Sequence, residues 1–341
     1  MITVFGIPAQ ALFGQLLIGL INGSFYALLS LGLAVIFGLL NIINFTHGAQ
    51  YMMGAFLAYF LLQYAGLGYW WALLIVPVLM ASLGVVLERF PHAPALFATA
   101  GFMVIFVGPY VGPGYRPVFS GACYVTALLG VVLTRRALER LSHLDHLYGL
   151  LLTFGLALII QGLFRNEFGS SGLPYRIPEA LTGGQNLGFM VLPNYRAWVI
   201  VFSLTVCLGT WWVIERTRLG AYLRAATENP TLVRAFGINV PLMITLTYGF
   251  GVGLAALASV LAAPIYEVNP LMGGDLIIVV FAVVVIGGMG SIMGSIVTGF
   301  GLGVIEGLTK VFYPEASNTV IFVIMALVLL AKPAGLFGRV Q

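Results

Sequence analysis

ERTRLGAYLRAATENPTLVRAFGINVP, residues 215–241, has six charged residues, and no stretch of equal length has more in a chain in which only 8% of residues are charged. A strongly apolar run lies on each side of it. Because an unpaired charge is costly in hydrocarbon, we expect this stretch to lie outside the membrane, between two spans. Short basic loops remain in the cytoplasm. The stretch is therefore predicted to be cytoplasmic by its four arginines, which are Arg216, Arg218, Arg224 and Arg234.

Within this stretch, residues 216–240 predict a short helix, a break at Asn229-Pro230 and a second turn that ends at Gly237. Two roles stay open. The segment is either a loop that only fixes topology, or a helix that docks onto a soluble partner. In the second case Ala225 and Ala226 would allow close approach, and Arg224 and Glu228, one turn apart, would fix the orientation.

The composition of the whole chain indicates an integral membrane protein, since 60% of its 341 residues are hydrophobic. The net charge of +4 follows from a few loop arginines, so it does not indicate nucleic-acid binding. Cys123 and Cys207 lie in apolar runs and are interpreted as packing residues rather than a disulfide. The first ten residues contain no basic group, so a cleaved secretory signal is not expected.

The hydropathy pattern predicts an all-α, polytopic transmembrane helical bundle with about 9–11 membrane segments, in which short helices are tilted or re-entrant. The predicted spans are 11–37, 46–64, 70–88, 95–109, 118–134, 147–164, 197–215, 241–262, 276–290, 291–309 and 319–331. Counting from a cytoplasmic 216–240 places the N-terminus outside and the C-terminus in the cytoplasm. The long polar loop 165–196 then lies outside, where it is able to touch an external partner. Residues 1–341 are treated as one transmembrane domain.

Polar residues gather where the first two spans meet, and buried polar groups in a membrane must be paired or face water. They are Asn41, Asn44, Thr46, His47 and Gln50, with Asn22 and Ser24 earlier in span one. One interpretation is an ordinary turn in which His47 caps a helix or is satisfied at the interface. The other is a broken helix whose free backbone groups line a substrate path.

Glycine dominates Ile286–Glu306, IGGMGSIMGSIVTGFGLGVIE. Gly287, Gly288, Ser291 and Ser295 mark either a helix break or a tight turn between two half-length helices. Packing and path-lining stay open for this part. Glycine recurs every fourth residue at Gly299, Gly303 and Gly307, which favours a face for close helix packing.

Three stretches in combination resemble a known family. NGSFYALLSLGLAVIFGLLNIINFTHGAQYMMGAF, DHLYGLLLTFGLALIIQGLFR, and RAATENPTLVRAFGINV through VVVIGGMGSIMGSIVTGF resemble permease subunits of bacterial branched-chain amino acid ABC importers, of the LivH type. The resemblance covers about 12–88 and 137–338. Phe90–Leu133 departs from the family pattern and is interpreted as an inserted segment, for which a hairpin entering from the cytoplasmic side is one arrangement. Thr46 also departs, because alanine is commoner before His-Gly.

The resemblance implies an inner-membrane subunit with four companions and no cofactor: a second homologous permease, two cytoplasmic ATP-binding subunits and a periplasmic binding protein. It implies that 216–240 engages the ATPase through Arg224, Ala225, Ala226, Thr227, Glu228, Asn229, Arg234 and Gly237. An aliphatic amino acid suits a path with apolar walls and few neutral polar groups. The residues expected to line it are Asn22, Ser24, Asn41, Asn44, Thr46, His47, Gln50, Gly287, Gly288, Ser291 and Ser295. With strong charges absent from this path, selection would lie mainly with the binding protein.

Each alternative function would require residues that can be looked for in the sequence. The chain has no Gly-Lys-Ser/Thr, since its lysines are Lys310 and Lys332, so it is not expected to hydrolyse ATP. A secondary transporter would use membrane carboxylates, but Glu267, Asp275 and Glu306 are predicted near span ends. A membrane enzyme would need a clustered catalytic or metal set, and the four histidines are not spaced as one. Urea, short amides and other small solutes remain alternative substrates.

Overall fold

A computed structural model describes residues 3–4, 7–40, 44–89, 146–188 and 190–338, most of which are helical. The helices in the described residues are α1 Ala9–Leu40, α2 Thr46–Ala65, α3 Tyr69–Arg89, α4 His146–Phe168, α5 Asn194–Arg216, α6 Arg218–Glu228, α7 Pro230–Ala235, α8 Val240–Tyr266, α9 Met272–Gly287, α10 Ile292–Phe312 and α11 Val320–Ala331. The all-α prediction is confirmed. The interpreted insertion Phe90–Leu133, with spans 95–109 and 118–134, lies outside the described residues.

Extended structure is confined to two small antiparallel hairpins in the described part of the chain. β1 (Thr3–Val4) pairs with β2 (Ile7–Pro8), and β3 (Gly184–Asn186) pairs with β4 (Val191–Pro193). Because α4 continues to Phe168 and α5 begins at Asn194, the predicted loop 165–196 is shorter than its proposed bounds. An antiparallel bridge between Leu173 and Val268 attaches this loop to the link between α8 and α9.

Five of the described helices are long and apolar enough to cross a bilayer, namely α1, α3, α5, α8 and α10. α9 and α11 are apolar but have only 16 and 12 residues. At about 1.5 Å per residue they extend roughly 24 and 18 Å, less than the ~30 Å hydrocarbon layer. The prediction of short segments is therefore confirmed for these two. It is wrong for α10, whose 21 residues make it a full-length helix.

The core is organised around α1 and α8, which contact each other and most of the remaining membrane helices. α1 and α10 run antiparallel along a seam of small residues. A Cβ atom added at Gly303 would lie 2.4 Å from the carbonyl oxygen of Gly19, and one added at Gly307 would lie 2.3 Å from that of Gln15. Gly299 meets Ala27 in the same way. The predicted packing face at Gly299, Gly303 and Gly307 is confirmed.

The junction between α1 and α2 lies inside the bundle. α1 is continuous from Ala9 to Leu40, so Asn22 and Ser24 belong to a regular helix rather than to a break. α2 then begins beside the middle of α1, where the His47 ring lies against Gly32 and near the Leu29 carbonyl. Gly32 is eight residues before the end of α1, or roughly 12 Å along it. The chain therefore turns back along α1 before α2 begins.

α9 also begins inside the bundle, with Gly273 packed against Gly48 in the first turn of α2. It ends at Gly287, and a tight turn leads to α10 at Ile292, as one of the two sequence interpretations proposed. Gly288 and Gly290 have φ of 99° and 81°, values that a side chain would make costly. The C-terminal segment closes this end of α9, since the Leu336 amide donates to the Ile286 carbonyl at 2.8 Å.

Candidate functional site

A cluster of buried polar side chains lies at the start of α2. We call it the junction cluster, and its members are Asn44, Thr46, His47, Gln50 and Tyr248 of α8. The Asn44 and Gln50 side-chain amides both donate to the Tyr248 hydroxyl, at 2.8 and 3.0 Å. The Thr46 amide and hydroxyl donate to the Asn44 carboxamide oxygen. The His47 Nε2 atom is 3.3 Å from the Leu29 carbonyl oxygen. These contacts tie α2 to α1 and α8.

The junction cluster keeps hydrogen-bonding capacity to spare. His47 is fully buried, and its Nδ1 atom has no hydrogen-bond partner among the described residues. The Gln50 Oε1 atom, one turn further along α2, also makes no hydrogen bond of good geometry in this part of the chain, although the Gln50 side chain lies within reach of the His47 ring. Because a buried unpaired polar atom carries a desolvation cost of about 1–3 kcal/mol, such atoms are uncommon where packing is the only requirement.

A second buried group lies about two-thirds of the way along α10, and we call it the carboxylate cluster: Asn22, Tyr26, Tyr266, Glu306 and Lys310. The Glu306 carboxylate accepts from the Tyr26 hydroxyl at 2.7 Å and the Asn22 amide at 3.5 Å. It also pairs with the Lys310 ammonium. The Tyr266 hydroxyl donates to the Asn22 carboxamide oxygen at 2.7 Å. The cluster joins α1, α8 and α10.

Glu306 lies near a span end as predicted, six residues before the end of α10, but its interpretation as a loop or interface carboxylate is wrong, because it is 4% exposed inside the α1–α10 contact. The expectation that the surroundings of Asn22 lack strong charges is wrong for the same reason. Sequence reasoning missed Tyr26, Tyr266 and Lys310. The available signal was Glu306 followed four residues later by Lys310 within an otherwise apolar helix. Glu267 and Asp275, the other membrane carboxylates considered, are exposed.

The remaining predicted path residues do not join either cluster. Ser24 donates to the Leu20 carbonyl of its own helix, and Ser295 donates to the Ser291 carbonyl. Ser291 caps α10 by accepting from the Gly294 amide. Gly287 packs against Gly294, and Gly288 lies against the C-terminal segment. Asn41 lies outside the described residues. The predicted path residues thus fall at three levels along α1 rather than in one pocket.

The segment 216–240 folds as α6 and α7, and the predicted break at Asn229-Pro230 is confirmed. Asn229 caps α7 by accepting from the Leu232 amide at 3.0 Å, and Gly237 ends the segment with a φ of 79°. A sharp turn precedes α6, because a Cβ atom on Gly220 would lie 1.6 Å from the Ile214 carbonyl oxygen. Beside the segment, a cavity of about 330 Å³ lies between α3 and α8, lined by Glu88, Asn239, Pro241, Leu242 and Thr245.

Two details of the predicted docking surface are corrected. The Arg224 guanidinium donates to the Ile214 carbonyl at 2.9 Å and pairs with Glu215 at 3.4 Å, instead of with Glu228. Ala226 is buried against Val233 and Val240 in a small core of the segment itself, so it does not face a partner. Of the other predicted contact residues, Arg224 and Thr227 are half-buried, and the exposed ones are Ala225, Glu228, Asn229, Arg234 and Gly237.

The outer face of α6 and α7 is apolar as well as charged. Large hydrophobic side chains stand exposed there: Leu219, Tyr222, Leu232 and Phe236. Phe236 is 77% exposed, although it belongs to the most charged segment of the chain. Exposed apolar patches bordered by charges are characteristic of protein–protein contact surfaces.

Within the described ranges, no group of three His, Cys, Asp or Glu side chains is placed to hold a metal ion. What the two clusters provide instead is hydrogen-bonding and ionic capacity enclosed by long apolar helices. Such an arrangement can hold or pass a small polar solute, since intramembrane polar and ionisable groups face a bundle interior or a water-filled cavity.

Comparison with known proteins agrees with this geometry. A protein-family model described as branched-chain amino acid transport system, permease component, matches residues 15–329. The chain belongs to this family. It is therefore a transport permease and a multi-pass protein of the inner membrane.

Relatives of this permease match nearly its full length. It is 29% identical to the high-affinity branched-chain amino acid transport system permease protein BraD of Pseudomonas aeruginosa, with 95% of each chain covered. It is 26% identical to the corresponding permease protein LivH of Escherichia coli K12, again with 95% of each covered. A fructose import permease protein, FrcC of Rhizobium meliloti, is 36% identical over 29% of each chain. No solved structure matches the permease.

Proposed function

We propose that this chain is the membrane-spanning permease subunit of an ATP-binding-cassette importer for branched-chain, aliphatic amino acids. A periplasmic binding protein delivers the substrate, and a second homologous permease completes the path. The observation that carries the proposal is the family match over residues 15–329, together with full-length relatives named for branched-chain amino acid transport.

Energy comes from two cytoplasmic ATP-binding subunits that dock onto the face of α6 and α7. The exposed Leu232 and Phe236 side chains support this role, because a segment that only fixed topology would gain nothing by exposing them. Arg224 holds α6 to the end of α5, through the Ile214 carbonyl. Movement of a docked ATPase subunit is thereby passed to a membrane helix, as alternating access requires.

The solute path follows α1, which contacts all three levels of predicted path residues. Asn22 lies at one level, the junction cluster at the next, and the Gly287–Ser295 turn at the third, where Gly290 packs against Gly38. The buried His47 and Gln50 side chains support this course, because His47 Nδ1 and Gln50 Oε1 have at most each other as partners among the described residues. A passing solute or water could bond to either of them.

With 216–240 in the cytoplasm, the antiparallel order of helices places the N-terminus and the loop between α4 and α5 outside. The binding protein then docks near this loop, which the Leu173–Val268 bridge fixes to the end of α8. We keep Phe90–Leu133 as an inserted segment of the same membrane domain.

Two alternatives compete with the amino acid importer. Another small solute, such as urea, a short amide or a sugar, is favoured by the partial match to a permease named for fructose import. An ion-coupled secondary transporter would need a membrane carboxylate that exchanges its ion. The pairing of Glu306 with Lys310 counts against it, because this carboxylate already has a fixed cation.

The proposal is tested by uptake into proteoliposomes that contain the complex purified with its ATP-binding subunits and second permease. With the binding protein outside and ATP inside, labelled leucine, isoleucine and valine should accumulate. Uptake of urea or fructose in place of all three would assign the chain to another substrate. Accumulation by the isolated chain on an ion gradient would overturn the importer itself.

A further inference from the structure

We propose that the carboxylate cluster is the subsite at which the permease holds the charged ends of a zwitterionic substrate. Glu306 accepts the α-ammonium group, Lys310 takes the α-carboxylate, and Asn22 and Tyr266 form the polar edge through which the substrate enters. This inference rests on the proposed function, because it takes the substrate to be an amino acid.

The Glu306–Lys310 ion pair lies in the second half of α10. Glu306 lies fourteen residues after the start of α10 and Lys310 eighteen, or roughly 21 and 27 Å along it. Both flank Gly307 of the packed α1–α10 seam. An ion pair is not needed for that contact, since glycine seams hold helices together by close packing. Lys310 lies in the last turn of α10, but Glu306 is buried, and a buried ionisable residue within a membrane helix marks a functional-site candidate by default.

The Glu306 carboxylate has several hydrogen-bond donors, and one of them is more distant than the others. Glu306 accepts from three side chains of two helices, Asn22 and Tyr26 of α1 and Lys310 of α10. The Asn22 contact is long, at 3.5 Å, and its carboxamide oxygen is held by Tyr266 of α8. The Asn22 amide is thus the donor that Glu306 can lose most readily. An incoming ammonium group would take its place with a stronger, charge-assisted bond.

A solute can reach the carboxylate cluster from one edge. The cluster is not sealed, since Tyr266 is 42% exposed and the Lys310 side chain 32% exposed, while Glu306 behind them is buried. The Tyr266 hydroxyl is paired with Asn22, but the partly exposed Lys310 ammonium group cannot face hydrocarbon without cost. This edge of the chain must therefore border water or the second permease. A solute moving at that boundary meets Tyr266 and Lys310 before it meets Glu306.

The charges of the carboxylate cluster match those of an amino acid zwitterion. The Glu306–Lys310 pair carries one negative and one positive group, and an amino acid zwitterion carries the same two. When the zwitterion inserts, one ion pair becomes two and the net charge of the site stays zero. Binding therefore needs no accompanying ion, in agreement with a transporter driven by ATP. Neutral solutes such as urea or a sugar gain nothing from this arrangement, so the cluster favours amino acids.

The test compares the complete importer with Glu306→Gln/Lys310→Met in proteoliposomes. This double variant removes both charges together, so neither residue is left as an unpaired ion in the bundle. We expect leucine uptake to fall at least tenfold, while assembly and the Tm of the purified complex stay near wild type. Lys310→Arg, which keeps both charges, should retain at least half of the uptake. Glu315→Gln, an exposed carboxylate beyond the end of α10, is the control and should behave as wild type.

Each outcome decides between a subsite and a simple link between helices. Wild-type uptake by the double variant would overturn the inference, because a structural pair is dispensable once both charges are gone. If the double variant loses its fold, Tyr266→Phe decides, since it removes only one hydroxyl at the exposed edge. Uptake three- to tenfold lower supports the subsite, and unchanged uptake overturns it. Failure of the wild-type complex to take up any amino acid would refute the proposed function instead.

Discussion

At the scale of single residues, the Tyr248 hydroxyl holds the junction cluster together, because it accepts from both Asn44 and Gln50. Replacing Tyr248 with Phe would leave two buried amide donors without their acceptor. We expect a loss of about 1–3 kcal/mol of stability, seen as a lower Tm of the detergent-solubilised protein. Tyr313→Phe, an exposed tyrosine near the end of α10, serves as the control. An unchanged Tm in Tyr248→Phe would show that water replaces the hydroxyl.

Residue-level prediction from the sequence succeeded where the signal was local and failed where it depended on distant helices. Asn44 and Gln50 could be recognised as buried polar residues because they interrupt an apolar pattern. Their common partner could not, since Tyr248 is about two hundred positions away and looks like any aromatic residue of a span. Glu306 was misplaced for a similar reason. Its burial comes from α1, whose contact with α10 no local pattern reports.

At the scale of elements, the seam between α1 and α10 gives a sharp test, because it allows no side chain at Gly303. A Cβ atom there would lie 2.4 Å from both the Gly19 carbonyl oxygen and the Gly23 Cα atom, and backbone cannot move aside cheaply. We expect Gly303→Leu to separate the helices and to leave little monodisperse protein in size-exclusion chromatography. Gly301→Leu is the matched control on the same helix, where a Cβ atom meets nothing within 4 Å. Equal yields from the two variants would contradict the close contact.

The element-level prediction was accurate for the helices and their seams because both leave regular traces in the sequence. The length of the apolar runs predicted α3, α5 and α8 to within a few residues. The four-residue spacing of glycine predicted the packing face of α10. The internal start of α9 left no such trace. Its first turn is buried by Gly48 of α2, a contact between distant parts of the chain. The sequence therefore located the α9–α10 turn at Gly287 and α10 to within a few residues, but not the packing of the first turn of α9 inside the bundle.

The docking face of α6 and α7 carries a second prediction at the element scale. Phe236→Ala removes the most exposed aromatic ring of the segment. If this ring is a central contact, its truncation should cost at least 2 kcal/mol, or roughly thirtyfold in affinity for the ATP-binding subunits. Affinity measured in detergent and leucine-stimulated ATP hydrolysis should fall together. Tyr313→Ala, at the opposite end of the molecule, is the control, and equal loss in both variants would deny α7 a specific role.

At the scale of the whole molecule, only one orientation in the membrane is compatible with all the proposed roles. These are the roles of the two clusters, of the docking face and of the loop between α4 and α5. Under the proposed function, α6 and α7 would face the ATP-binding subunits, and the carboxylate cluster would lie towards the side from which substrate arrives. The structure satisfies both conditions, because Tyr266 of the carboxylate cluster is the last residue of α8, whereas Ala226 of α6 packs against Val240 at the start of α8. The arginines of 216–240 then obey the rule for cytoplasmic loops.

This orientation predicts the labelling of single cysteines by a membrane-impermeant maleimide. In a background with Cys123 and Cys207 replaced, Val191→Cys in the β3–β4 hairpin should react on intact spheroplasts, because the loop between α4 and α5 faces outwards. Phe236→Cys should react only after the membrane is opened. Both positions are exposed, with 61% and 77% of the side chain accessible, so a difference between them reports the side of the membrane rather than burial. The reverse pattern would invert the molecule, placing the docking face beyond the reach of any ATP-binding subunit.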